Sequence, residues 1–132
     1  MSSYLYYDAH FLKIEIFPQE KYALLTWNGR LTVECLEAGL TEVIKLFQQE
    51  GIFNIIGDNR LIKVPLRIEE QYMREVFSPT MVKEGLQKMA VIVEENVFAK
   101  LIIRKVIEDK IKVPVKYFND VEKAKEWIIG DE

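Results

Sequence analysis

The chain has 132 residues, of which 49% are hydrophobic and 30% are charged, and its formal net charge is −3. This length and balance exclude a disordered chain and indicate one globular domain, which needs neither a disulfide nor a metal to hold it. The acidic balance also disfavours nucleic acid as a partner, because such binding depends on clustered lysine and arginine.

The single cysteine, Cys35, has no partner for an internal disulfide, which indicates a reducing compartment. The first ten residues lack the basic and apolar regions of a signal peptide. No apolar run approaches the ~20 residues that cross a bilayer. We therefore predict a cytoplasmic protein without an integral membrane segment.

Residues 1–9 show no clear period, yet they include a run of apolar side chains that is unusual for a solvated tail. Two alternatives remain open for them, an extra edge strand or a disordered segment. Residues 10–132 are predicted to form a single domain.

A β-hairpin is predicted at the start of that domain. Leu12, Ile14 and Ile16 alternate with polar residues over 10–17, which is typical of a half-buried strand. A turn with a proline follows, and residues 22–27 form the second strand.

A long helix and a buried strand come next. Thr32 is placed to cap the helix and Gly51 to end it. Residues 53–56 then read as a strand that runs out into a polar tip of four residues, Gly57, Asp58, Asn59 and Arg60.

The second half of the chain repeats the alternation. A helix is predicted over 68–77, followed by a further segment capped by Ser78 and ended by Gly85. Residues 89–93 are apolar on both faces, which predicts a central strand. A third long helix begins at Asn96, and an edge strand over 113–118 precedes a final helix.

The element order is therefore β-β-α-β-α-β-α-β-α. It predicts an α/β fold with a mixed, mostly parallel five-stranded sheet, an N-terminal hairpin and about four helices.

Short motifs at defined places in this order carry a family resemblance. The motifs are WNGRLT after the second strand, GDNR after the third, and the later stretches GLQKMAVIVEENVFAKLI and VKYFNDVEKAKEWI. Over residues 10–129 the chain resembles STAS domains, typified by the anti-sigma factor antagonist SpoIIAA, and in particular the SpoIIAA-like, STAS/SEC14-related proteins of bacteria. The resemblance implies a right-handed βα superhelix with strands in sequential order, and a regulatory role without chemistry.

One position departs from the STAS pattern. In phosphorylatable members a serine or threonine follows an aspartate at the end of the third strand. Asp58 matches that aspartate, but Asn59 stands where the hydroxyl is required. The resemblance therefore implies an interaction module that lacks the usual phosphorylation switch.

Two candidate sites follow from the pattern. Ligands collect at the carboxyl ends of parallel strands, where Arg30, Asp58, Asn59 and Arg60 are predicted to lie and to bind a carboxylate, a phosphate or a protein partner. The alternative is a structural ion pair between Asp58 and an arginine, with turn-forming asparagines beside it.

The second candidate is an apolar pocket on the second helix. Its lining would be Tyr72, Met73, Val76 and Phe77, by comparison with SEC14-like folds that hold lipids. The alternative is plain core packing, since apolar stripes at helical spacing usually face the core.

Nothing in the sequence indicates catalysis. His10 is the only histidine, the glycine spacing matches no phosphate-binding loop, and acidic neighbours such as Glu69 and Glu70 read as solvated surface. We predict no catalytic residue, metal or cofactor. The expected function is a non-enzymatic, STAS-like regulatory or protein-interaction module; the alternative is a small-molecule or lipid-binding protein of SEC14-like type. A homodimer is left open.

Overall fold

The computed structural model describes residues 2–63, 67–97 and 113–130. Within these ranges the chain forms one six-stranded sheet with helices packed on both faces. The strands are β1 (Tyr4–Ala9), β2 (Leu12–Phe17), β3 (Tyr22–Gly29), β4 (Asn54–Ile62), β5 (Lys88–Ile92) and β6 (Val115–Phe118). The helical elements are α1 (Val33–Gln49), α2 (Arg67–Tyr72), a π-helical turn (Met73–Phe77), α3 (Ser78–Glu84) and α4 (Val121–Ile129).

The strands follow one another across the sheet in chain order, as the resemblance implied. β1, β2 and β3 pair antiparallel, whereas β3, β4, β5 and β6 pair parallel. The sheet has six strands rather than the predicted five, because the N-terminal residues pair with β2 from Tyr4 opposite Ile16 to Ala9 opposite Leu12. This pairing satisfies the backbone groups along an edge of β2 that would otherwise be open.

The core has two parts, one on each face of the sheet. Under α1 and α3 it is built from aliphatic and aromatic side chains such as Ile14, Val43 and Ile55, each fully buried. Under α4 it is smaller and contains Ile56 and Ala90. β4 and β5 are therefore covered on both faces, as predicted for the apolar stretch at 89–93.

Local chemistry sets the ends of the longer helices where it was predicted to. The Thr32 hydroxyl oxygen accepts a hydrogen bond from the backbone N–H of Cys35 at 3.2 Å, and Gly51 follows α1 with a φ of +66°. Asp120 caps α4 by accepting from the backbone N–H of Glu122 at 2.7 Å. Gly85 ends α3 with a φ of +127°, a conformation that favours glycine.

The prediction that β4 ends in a polar tip is wrong. The strand continues to Ile62, so Gly57, Asp58 and Arg60 lie inside it. Gly57 pairs with Leu25 of β3 on one side and with Val91 of β5 on the other. β3 and β5 both pair with Asp58 as well, and β3 pairs again with Leu61 and Ile62. Tertiary pairing therefore outweighs the low strand propensity of this stretch.

The predicted break at Ser78 is also wrong. Its backbone is helical, with φ −66° and ψ −46°, and its N–H donates to the carbonyl oxygen of Met73, so Ser78 continues the helix and does not start a new one. The chain instead runs from α2 through the π turn into α3 without interruption. Of the third long helix predicted from Asn96, residues 98–112 lie outside the described part of the chain.

Candidate functional site

The polar residues of β4 lie on opposite faces of the sheet. Ile55 belongs to the core under α1 and Ile56 to the core under α4, and side chains alternate beyond them. A Cβ atom built on Gly57 would lie 3.7 Å from the Oδ1 atom of Asn59, which puts both on the α1 face. Four residues that are neighbours in sequence therefore do not form one cluster.

On the α1 face, a pocket of about 320 Å³ opens at the carboxyl ends of β3, β4 and β5. Its apolar wall includes Leu31, Leu36 and Val93, each no more than 7% exposed. This is the edge of a parallel sheet at which ligands are expected. The described residues that line it are Leu31, Leu36, Asn59, Ile62, Lys63, Glu69, Met73, Val93, Glu94 and Val97.

Of the described lining residues, Asn59 and Met73 were predicted as site residues and the others were not; Glu69 is the most unexpected of those that were missed. It was predicted to be solvated surface, but it is only 8% exposed and its side chain borders the pocket. Carboxylates are rarely buried to this extent. The available signal was its spacing of four residues from Met73, which places both on one side of a helix.

On the opposite face, Asp58 and Arg60 form a two-pronged ion pair. The Oδ1 atom of Asp58 accepts from Nε of Arg60 at 3.0 Å, and Oδ2 accepts from Nη2 at 2.8 Å. The backbone N–H of Arg60 donates to the same carboxylate at 3.2 Å. The Asp58 side chain is 11% exposed and the Arg60 side chain 40% exposed. This is the structural ion pair that we weighed against a binding site.

Electrostatics keep that arginine charged. The hydrogen bonds to Asp58, together with the nearby carboxylates of Asp58 and Asp120, raise the pKa of Arg60 above its ordinary value. The guanidinium therefore presents a permanent positive charge beside the start of α4.

The other predicted site residues are distributed over three places. Met73 lines the pocket. Tyr72 and Val76 line a separate, shallow depression that also includes Ile68. Phe77 is only 2% exposed, and its ring packs edge-on against Trp27 with 5.9 Å between the centroids, so this residue is core.

Arg30 remains apart from these contacts. It is exposed, and it is absent from the lining of the pocket. Arg30 and Arg60 therefore do not form a common anion-binding site in that pocket.

No group of three or more histidine, cysteine, aspartate or glutamate side chains in ranges 2–63, 67–97 and 113–130 is arranged to hold a metal ion. In the same ranges no helix combines the length and the apolar character required to cross a membrane.

Comparison with known proteins identifies the fold. No protein-family model matches the chain, and no curated protein matches it. Among solved structures, the crystal structure of an uncharacterized protein of the DUF3478 family from Shewanella loihica PV-4, described as having a SpoIIAA-like fold, matches with a TM-score of 0.63. The match covers 93% of this chain and 98% of that one.

The fold is SpoIIAA-like. The two sequences are 18% identical, so the likeness extends to the fold alone. The SpoIIAA-like architecture that the motifs implied is confirmed. In this fold Asn59 lines the pocket, while Asp58 before it faces the other side of the sheet.

Proposed function

We propose that this SpoIIAA-like protein is a non-enzymatic binding protein that holds a small, mostly apolar molecule in the pocket at the ends of β3, β4 and β5. The observation that carries the proposal is the pocket itself, with its buried apolar wall and a volume of about 320 Å³. Small-molecule sites typically begin at roughly 300 Å³ and combine apolar walls with a few polar groups.

The polar groups of the pocket suit orientation of a ligand. Asn59 offers an amide, and Glu69 offers a largely buried carboxylate. Lys63 and Glu94 are exposed. A molecule with an apolar body and one polar end would place its body against Leu31, Leu36 and Val93.

The proposal of a non-enzymatic role rests on the chemistry of the lining. Of the described residues that border the pocket, none is a serine, threonine, cysteine or histidine. Covalent catalysis commonly pairs such a nucleophile with an adjacent base. Asn59 cannot accept a phosphoryl group, and we propose that its amide serves as a hydrogen-bonding partner for the ligand.

Native mass spectrometry of gently purified protein is the first test. Added mass at the scale of a metabolite or lipid would support the proposal and identify the molecule. The same spectrum gives the mass of the assembly, and so it tests for a homodimer.

A blocking variant gives a sharper test. Val97 is 40% exposed and lines the pocket, so Val97→Trp should fill the entrance. With 1-naphthalenemethanol as the probe, the wild type should gain thermal stability, since a ligand at one hundred times its Kd adds about 2.7 kcal/mol. Val97→Trp should lose most of that gain.

The matched control is Val82→Trp. Val82 is 38% exposed on α3 and does not line the pocket, so this variant should keep the stabilisation by the probe. Equal stabilisation of both tryptophan variants would place the probe elsewhere and contradict the proposed pocket.

A second candidate function is the protein-interaction module, which the Asp58 and Arg60 pair favours. The pair fixes a partly exposed guanidinium at a defined place on the sheet. Fixed arginines are common anchors of protein interfaces. If this surface binds a partner, Arg60→Ala and Asp58→Ala should each weaken capture of that partner while leaving the domain folded.

The control for this candidate is Arg74→Ala, because the Arg74 side chain is 70% exposed on the π turn. Circular dichroism would verify the fold of each variant. Capture of the same partners in the same amounts by all of the variants would rule out this surface.

A further inference from the structure

One wall of the pocket depends on a helix whose inward-facing residues are spaced by four. These are Glu69, Met73, Phe77 and Met81. In an α-helix each residue advances by about 100°, so a step of four overshoots a full turn by about 40°. Three such steps would accumulate about 120° and turn one end of the row away from the protein.

The structure nevertheless keeps the whole row facing inward. Glu69 is 8% exposed, and Phe77 and Met81 are each 2% exposed. Met73 is half-buried and lines the pocket. Some feature of the helix therefore removes the angular drift.

The π turn between Met73 and Phe77 is that feature. The backbone N–H of Ser78 donates to the carbonyl oxygen of Met73, five residues earlier, in place of the four-residue step of an α-helix. A π turn is wider than an α turn, so it advances less per residue and compensates for the overshoot. The π turn thereby keeps Glu69 and Met73, which line the pocket, on the same side of the helix as Phe77 and Met81, which lie in the core.

The C-terminal half of this row, Phe77 and Met81, is fixed by packing in the core. Phe77 packs against Trp27, and Met81 lies in the same buried cluster. In α2, by contrast, Glu69 is the one buried residue. The orientation of α2, and with it the position of Met73, thus follows from the π turn and the anchor beneath it.

Met73 differs from the rest of the apolar wall. Leu31, Leu36 and Val93 are buried in the core and have little room to move. Methionine is unbranched, has three rotatable side-chain bonds and adapts to irregular spaces. We infer that Met73, held in place by the π turn, determines the size of molecule that the pocket accepts. This inference rests on the proposed binding function.

The test uses two alcohols that differ in size, 1-naphthalenemethanol and 1-pyrenemethanol, with Kd values measured by fluorescence. Wild type should prefer the smaller probe. Met73→Ala should bind the larger probe at least about tenfold more tightly than wild type does, in line with the effect of a few methylene groups in an apolar pocket.

The matched control is Met89→Ala, which removes the same atoms from another half-buried methionine that does not line the pocket. It should leave the ratio of the two Kd values unchanged. Deletion of Arg74 is a second, independent variant, because losing one residue should convert the π turn to an α turn. The deletion changes the spacing of the row to four, three and four residues, which in an α-helix advances by about 1,100°, close to three full turns. The row should therefore still face inward, and the Kd for 1-naphthalenemethanol should stay within about threefold of wild type while circular dichroism reports a folded domain; a loss of about tenfold would contradict the role given to the π turn.

The outcomes distinguish a failure of the proposed binding function from a failure of the inference about Met73. If wild type binds neither probe, the proposed function fails and this inference fails with it. If wild type binds a probe but Met73→Ala shows the same Kd ratio as Met89→Ala and wild type, only the inference about Met73 is overturned. Should the deletion variant not fold, the comparison of Met73→Ala with Met89→Ala still shows whether Met73 determines the size of molecule that the pocket accepts.

Discussion

Truncating Phe77 to alanine is expected to lower the free energy of unfolding by about 3–5 kcal/mol, the usual cost of removing a buried aromatic ring. Phe77 is 2% exposed and packs edge-on against Trp27 at 5.9 Å. The truncation would leave a cavity in the main core and would also remove the anchor of the π turn. Urea denaturation followed by circular dichroism measures the change directly.

The control for Phe77→Ala is Val76→Ala, the preceding residue on the same π turn. Val76 is 40% exposed and borders only the shallow depression, so its truncation should cost about 1 kcal/mol or less. Similar losses for the two variants would mean that Phe77 does not belong to the core.

Replacing Gly39 by alanine is expected to destabilise the protein by roughly 1–3 kcal/mol, the usual cost of overpacking a core. Helix propensity alone would predict the reverse, a gain of about 1 kcal/mol. The added Cβ atom would meet the ring of Trp27, with Cζ3 at 3.1 Å, and Cδ2 of Leu12 at 3.2 Å. Because the indole is buried between α1 and the sheet, it has little freedom to move aside.

Two comparisons test whether the contact with Trp27 causes the loss of stability in Gly39→Ala. Gly57→Ala puts the same methyl group 3.5 Å from Cε of Met89, an ordinary contact, so it should change stability much less. In a Trp27→Phe background the cost of Gly39→Ala should fall, since phenylalanine lacks the ring atoms that the methyl group meets. A loss at Gly39 that does not depend on residue 27 would contradict the packing explanation.

Much of the fold was predictable because local chemistry specifies it. The Thr32 hydroxyl and Gly51 mark the two ends of α1 through a hydrogen bond and a positive φ. The alternation of Leu12, Ile14 and Ile16 matches the pleat of a strand with one buried face. Each of these signals acts within a few residues, so an isolated sequence reveals it.

The predicted site residues do not form one site, because the prediction assumed that residues adjacent in sequence are also adjacent in space. Strand alternation sends Asn59 into the pocket and its neighbours Asp58 and Arg60 to the face under α4. Pairing with β5 reaches Asp58 and pairing with β3 reaches Ile62, and both partner strands are distant in the chain. No local signal reports such pairing.

The sequence by itself determined the order of the described strands and helices after residue 10, several of their capped ends and, through short motifs, the SpoIIAA-like architecture. Only the tertiary structure decided the length of β4, the burial of Glu69, the π turn that places Met73 and the position of the pocket. The physical reason is the range of the interactions. Caps and alternation depend on neighbours in the chain, whereas strand pairing, burial and helix rotation depend on what packs against each element in the finished fold.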